Sequence, residues 1–147
     1  MRTIKFRGKT KQGEWVIGYY VGKSSLDEVA ILPPPNVNYD IGYINDSECY
    51  YCIADTLGQF TGLYDKNGKE IYEGDIVCFD DTPYCAYGNK YKGEVVVYRG
   101  AWCVKHHEEW CDEYFYPPLF ADDFASNKTT ILGNVYDNPE LLKGGEK

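Results

Sequence analysis

The chain has 147 residues, with 15 Lys and Arg against 23 Asp and Glu, for a formal charge of -8 at pH 7. Apolar residues make up 44% and aromatics 16%, so the chain can bury a core of its own and is not an intrinsically disordered polymer. No segment approaches the ~20 apolar residues of a membrane helix, and no apolar run follows the basic residues near Met1 as in a signal peptide. The expectation is a protein that stays in the cytoplasm, away from the membrane.

Ile4 and Phe6 alternate with Lys5 and Arg7, the period of a half-buried strand. Glu14 to Val21 is rich in β-branched and aromatic residues and predicts a second strand, joined to the first through Gly8 to Gly13. Val29 to Leu32 is a third, ended by Pro33, Pro34 and Pro35, which have no N–H to donate to a ladder. Residues 36–48 read as a polar loop, and Tyr50 to Ile53 as a brief strand. From Asp55, two glycines (Gly58, Gly62) alternate with the apolar anchors Phe60 and Leu63. Asp65-Lys66-Asn67-Gly68 is a turn, with Asn-Gly suited to two residues at positive φ. Glu73-Gly74-Asp75 turns the chain again before the apolar run Ile76 to Phe79.

Residues 80–92 form a tyrosine-bearing loop. Gly93 to Arg99 and Ala101 to Lys105 predict a tight hairpin around Gly100. Thr129 to Tyr136 is a last strand in which Gly133 marks a bulge, and Asn138-Pro139 opens one helical turn. Short strands at this spacing, punctuated by Gly and Pro, indicate a small all-β barrel or sandwich.

The stretch TLGQFTGLYDKNGKEIYEGDIV, Thr56 to Val77, resembles the signature of the YopX family of phage and prophage proteins. ILGNVYDNPELL, Ile131 to Leu142, is similar to that family's closing motif, and IKFRGK with GEWVIGYYV fits its N-terminal pattern. The resemblance implies an all-β protein whose C-terminal part is an SH3-like barrel preceded by a smaller β region; the expected division is 1–54 and 55–147, closely packed, with a single unit as the alternative. It implies a bacterial host's cytoplasm. It implies no activity, so no catalytic or cofactor-binding residue is assigned.

Two clusters could carry metal chemistry. Cys49 and Cys52 form a CxxC, and Cys103, His106, His107 and Cys111 share one short window; thiolate and imidazole together suit tetrahedral zinc. The second cluster lacks the usual ligand spacing, so the favoured reading is reduced, partly buried thiols with no cofactor, the alternative being a zinc-binding module or a metal-dependent enzyme that uses these Cys and His residues. His106-His107-Glu108-Glu109 reads as a polar loop rather than an acid–base pair.

A third feature is 106–123, which holds six acidic residues and no Lys or Arg, interleaved with aromatics. Trp110, Tyr114, Phe115 and Tyr116 are the candidate interaction residues, because aromatics concentrate at interface centres and surrounding acids steer a basic partner. The alternative is that they only cap the core. The leading expectation is a non-enzymatic module that binds a host or phage protein, with self-association through strand edges as a second outcome. Residues 1–23 carry +5 and the remainder -13. Nucleic acid is not an expected partner, since such a short basic stretch is most simply a charged strand edge facing an opposing field.

Overall fold

The computed structural model describes residues 3–34, 49–79, 91–107, 114–119 and 129–142. The protein is all-β: among these residues the only helical pieces are two 3-10 turns, Ala54–Thr56 and Pro139–Leu142. The chain divides into two compact units, Met1–Phe60 and Thr61–Lys147.

The first unit contains β1 (Phe6–Lys9), β2 (Trp15–Lys23), β3 (Glu28–Leu32), β4 (Tyr50–Ile53) and the start of β5 (Gly58–Tyr64). They lie antiparallel in the order β4-β3-β2-β1-β5. The β1–β2 hairpin closes as predicted, with Gly13 at φ 91° and its N–H donating to the Thr10 carbonyl. β1 is not the edge that its alternating charges suggest. It pairs with β2 on one side and, through Phe6 and Arg7, with Gln59 and Gly58 of β5 on the other.

The sheet curls until Thr10, just past β1, bridges Cys52 of β4. Val16, Val29, Ile31 and Cys52 fill the concave side, with Ala54 and Leu57 packed on them. The curl depends on Gly8, where a methyl would lie 2.7 Å from Cys52 Cβ. Thr56 pins the end of β1: its hydroxyl accepts from the Lys9 N–H at 2.8 Å and donates to the Ile53 carbonyl at 2.6 Å.

β5 crosses the division and turns into β6 (Glu70–Tyr72). The turn differs from the predicted one. Gly68 alone takes positive φ, and the loop is held by the Asp65 carboxylate rather than by a left-handed Asn67. The remaining strands are β7 (Asp75–Phe79), β8 (Tyr91–Tyr98), β9 (Ala101–His107), β10 (Tyr114–Phe115) and β11 (Thr129–Asn134). They form a sheet in the order β10-β9-β8-β7-β11.

Ile71, Val77, Val95, Trp102, Val104 and Leu119 make the core of this unit, with Leu63 and Ile131 against it. Arg99 (φ 51°) and Gly100 (φ 81°) make a two-residue hairpin turn, which matches strand twist. The register of β11 on β7 shifts between Ile131 and Gly133, the bulge expected there. Among the described residues β10 and β11 do not pair with each other, so the pairing describes an open five-stranded sheet rather than a closed barrel.

Candidate functional site

Strand alternation assigns the two faces of the second unit's sheet. Val95 opposite Val104 and Val97 opposite Trp102 point to the core side. Glu94 opposite Lys105, Val96 opposite Cys103 and Tyr98 opposite Ala101 point the other way. β9 runs through His107 instead of ending at Lys105, because β10 returns to pair with it: Tyr114 lies opposite His107 and Phe115 opposite His106. The segment expected to be a polar loop at His106 and His107 is therefore strand.

This arrangement gathers aromatics on the β8–β9–β10 end. Tyr98 and Tyr116 stack nearly parallel, with ring centroids 3.9 Å apart and planes at 9°. The Arg99 guanidinium lies 5.3 Å from the Tyr98 ring, and Lys105 Nζ sits 4.5 Å from the Tyr114 ring. Both are cation–π distances, which fix ring orientation while leaving the charged groups near water. Tyr114 is 54% exposed, Phe115 38% and Val97 53%. Side chains this large are usually spent on a core, and here Tyr114 and Phe115 stand on opposite faces of the two-residue edge strand β10, with Val97 exposed on β8.

The polar groups beside them are few. Glu94 is half-buried, and burial pushes its carboxyl above the ordinary range; Lys105 opposite it pulls the other way and Glu73 adds to the rise. His106 Nδ1 lies 2.7 Å from the Lys92 carbonyl, which can only accept, so that nitrogen carries the proton.

Of the candidate interaction residues, Tyr114, Phe115 and Tyr116 come together here, while Trp110 lies outside the described residues. Tyr98, Val97, Arg99 and Lys105 join them and were not singled out from sequence. The signal was present: a two-residue turn at Arg99-Gly100 sets a register that puts Tyr98 and Lys105 on one face.

The proposed zinc ligands fall in separate settings. Cys52 is buried in the first unit's core, its thiol 4.0 Å from the Tyr50 carbonyl. Cys103 is buried in the second unit, 3.9 Å from the Tyr98 carbonyl. Burial pushes both thiols up, which disfavours the thiolate that binds metal. Cys49 is half-buried, Cys111 lies outside the described residues, and among the described residues no three His, Cys, Asp or Glu side chains cluster to hold an ion. Cys52 and Cys103 should consequently resist a water-soluble disulfide reagent at pH 8 until the protein unfolds. Reaction of both in the native state, faster than unfolding, would contradict their burial.

These features define a small two-unit all-β protein with an exposed aromatic sheet end. A family model, that of the YopX protein, matches residues 5–143, and the chain belongs to the YopX protein family. Among solved structures, the crystal structure of protein EF1440 from Enterococcus faecalis is similar, at a TM-score of 0.54 and 22% identity over 97% of this chain and 100% of that one. At that identity the likeness speaks for the fold. No curated protein sequence matches. No described helix is long and apolar enough to cross a membrane.

Proposed function

We propose that this YopX-family chain is a phage or prophage accessory protein that works without catalysis, by binding a basic protein in the cytoplasm of a bacterial host. The contact surface is the aromatic end of β8–β9–β10. The observation that carries this reading is the exposure of Tyr114 on the face of the stacked Tyr98 and Tyr116, with Phe115 and Val97 exposed on the opposite face of the same sheet end. Rigid aromatics supply contact area at low entropic cost, which is why they dominate interface centres. Residues 24–147 carry a net charge of -13, and such a field speeds the approach of a basic partner.

The strand order supports an SH3-like classification of the second unit: four consecutive strands form a meander, and the last strand of the chain returns beside the first of them. Folds of that kind serve unrelated functions, so the aromatic surface and not the fold bears the argument.

The test is affinity capture from a bacterial host lysate at low and moderate salt, with wild type beside a Tyr114→Ala/Phe115→Ala double variant. One basic protein recovered stoichiometrically by wild type, and reduced at least tenfold by the variant at unchanged melting temperature, is the expected result; a central aromatic commonly contributes that much. Equal recovery by both would remove this surface. Recovery of nothing but the protein itself would overturn the binding reading.

A further inference from the structure

The first unit carries a surface that the proposed protein-binding face does not use. Lys5, just ahead of β1, alternates with Arg7 and Lys9 on it, a spacing of about 7 Å that sends the three to one side of the sheet. Charged residues in that pattern ordinarily guard an edge, but β1 lies inside the sheet between β2 and β5. Another role has to account for them.

The register shows which side they occupy. Gly8 and Val16, opposite one another, face the buried cluster, so Arg7 opposite Ile17 and Lys9 opposite Trp15 face outward. The cations there are laid against rings. Arg7 Cζ is 4.8 Å and Lys9 Nζ 6.0 Å from the Trp15 ring, and Lys5 Nζ is 5.0 Å from the Phe60 ring. Ile17 and Tyr19 continue the same side of β2, and both are exposed. Although the chain has 23 acidic residues, none falls in β1, β2 or β5, the three adjacent strands that build this side.

We propose that the convex face of β1 and β2 binds a single strand of nucleic acid. Its chemistry is that of a non-sequence-specific single-strand site, in which cations follow the phosphates while aromatic rings stack the bases. Lys5, Arg7 and Lys9 take phosphates, and Trp15 and Tyr19 offer ring faces. An acidic peptide would use the cations but gain little from the rings. The chain's negative remainder does not forbid binding, because at 0.1 M salt charges beyond about 10 Å are largely screened.

The probe is a fluorescein-labelled single-stranded oligonucleotide of mixed sequence, read by anisotropy between about 20 and about 200 mM salt. Three phosphate contacts predict a slope of log affinity on log salt near -2, or about 100-fold across that range. Arg7→Gln and Lys9→Gln should each flatten the slope by about 0.7. Trp15→Leu should lose about tenfold, the scale of one stacked base. Circular dichroism checks that each variant is folded, and the two glutamine variants carry the test should Trp15→Leu not fold.

No anisotropy change at the lowest salt would overturn the proposal, as would a slope unmoved by both glutamine variants. Equal competition by poly-glutamate would assign the face to acidic proteins instead. A dimer that salt dissociates, without oligonucleotide binding, would assign it to a second copy of this chain. Capture of a basic protein through Tyr114 and Phe115 is read separately and is unaffected by any of these outcomes.

Discussion

An alanine at Gly93 should destabilise the protein by about 3 kcal/mol, the upper part of the usual range for overpacking. The added methyl would lie 2.4 Å from the Lys105 carbonyl oxygen and 2.7 Å from Val104 Cγ1. β8 is held between β7 and β9, so it cannot swing away from the clash without breaking one of its ladders. The melting temperature should fall by roughly 6–12 °C for a chain of this size. Gly22→Ala is the matched control, since nothing lies within 4 Å of a methyl there and its φ is ordinary. That change should be neutral or slightly stabilising, because it reduces the freedom of the unfolded chain. A Gly93→Ala protein that melts within about 2 °C of wild type would show that β8 and β9 separate more easily than their pairing implies. Because Lys105 holds the Tyr114 ring, the same variant should also weaken partner capture.

Local chemistry made some of this fold readable. The Arg99-Gly100 turn, the bulge at Gly133 and the strand Tyr50 to Ile53 follow from residues within a few positions of each feature. β5 was harder to read, because its glycines suggest turns. Gly58 is instead a strand residue, paired with Arg7 from a point some fifty residues earlier. The same long-range pairing moves β1 from the edge to the interior, which changes what its lysines and arginine are for. Alternation says which residues share a face, but strand order decides what that face meets.

The candidate site divides in the same way. Aromatic crowding marked Tyr114 to Tyr116 from composition alone. Their neighbours Tyr98 and Lys105 come from a hairpin that ends before them, and only the β9–β10 pairing brings the two together. Cys52 follows the same rule: it is used as a small apolar side chain against Gly8, a setting fixed by strand pairing rather than by its CxxC neighbours.

Replacing Asp65 should produce a second large effect, and one that depends on pH. Asp65 is only 5% exposed. One carboxylate oxygen accepts from the Asn67 and Lys69 N–H groups, each at 2.9 Å, and the other from the Ile131 N–H at 3.3 Å. It thus shapes the turn between β5 and β6 and ties it to β11, where the Lys66 N–H also donates to the Thr129 carbonyl. Burial by itself would raise this carboxyl, but the backbone donors of Lys69, Ile131 and Asn67 outweigh it and hold the group below its usual value. Asp65→Ala leaves those donors without their acceptor and should cost about 3 kcal/mol at pH 7, given about 1.5–3 kcal/mol for a hydrogen bond to a charged group. Asp65→Asn keeps one acceptor and should cost less.

The pH dependence has a definite sign. A carboxyl whose folded pKa is depressed stabilises the fold above its unfolded pKa, near 3.9, and loses that contribution as pH falls through the folded value. Urea unfolding of wild type and Asp65→Asn should therefore differ most at pH 7 and converge progressively below about pH 4. Two curves that stay parallel down to pH 2 would mean that Asp65 acts through shape alone, and that its charge contributes nothing to joining the turn to β11.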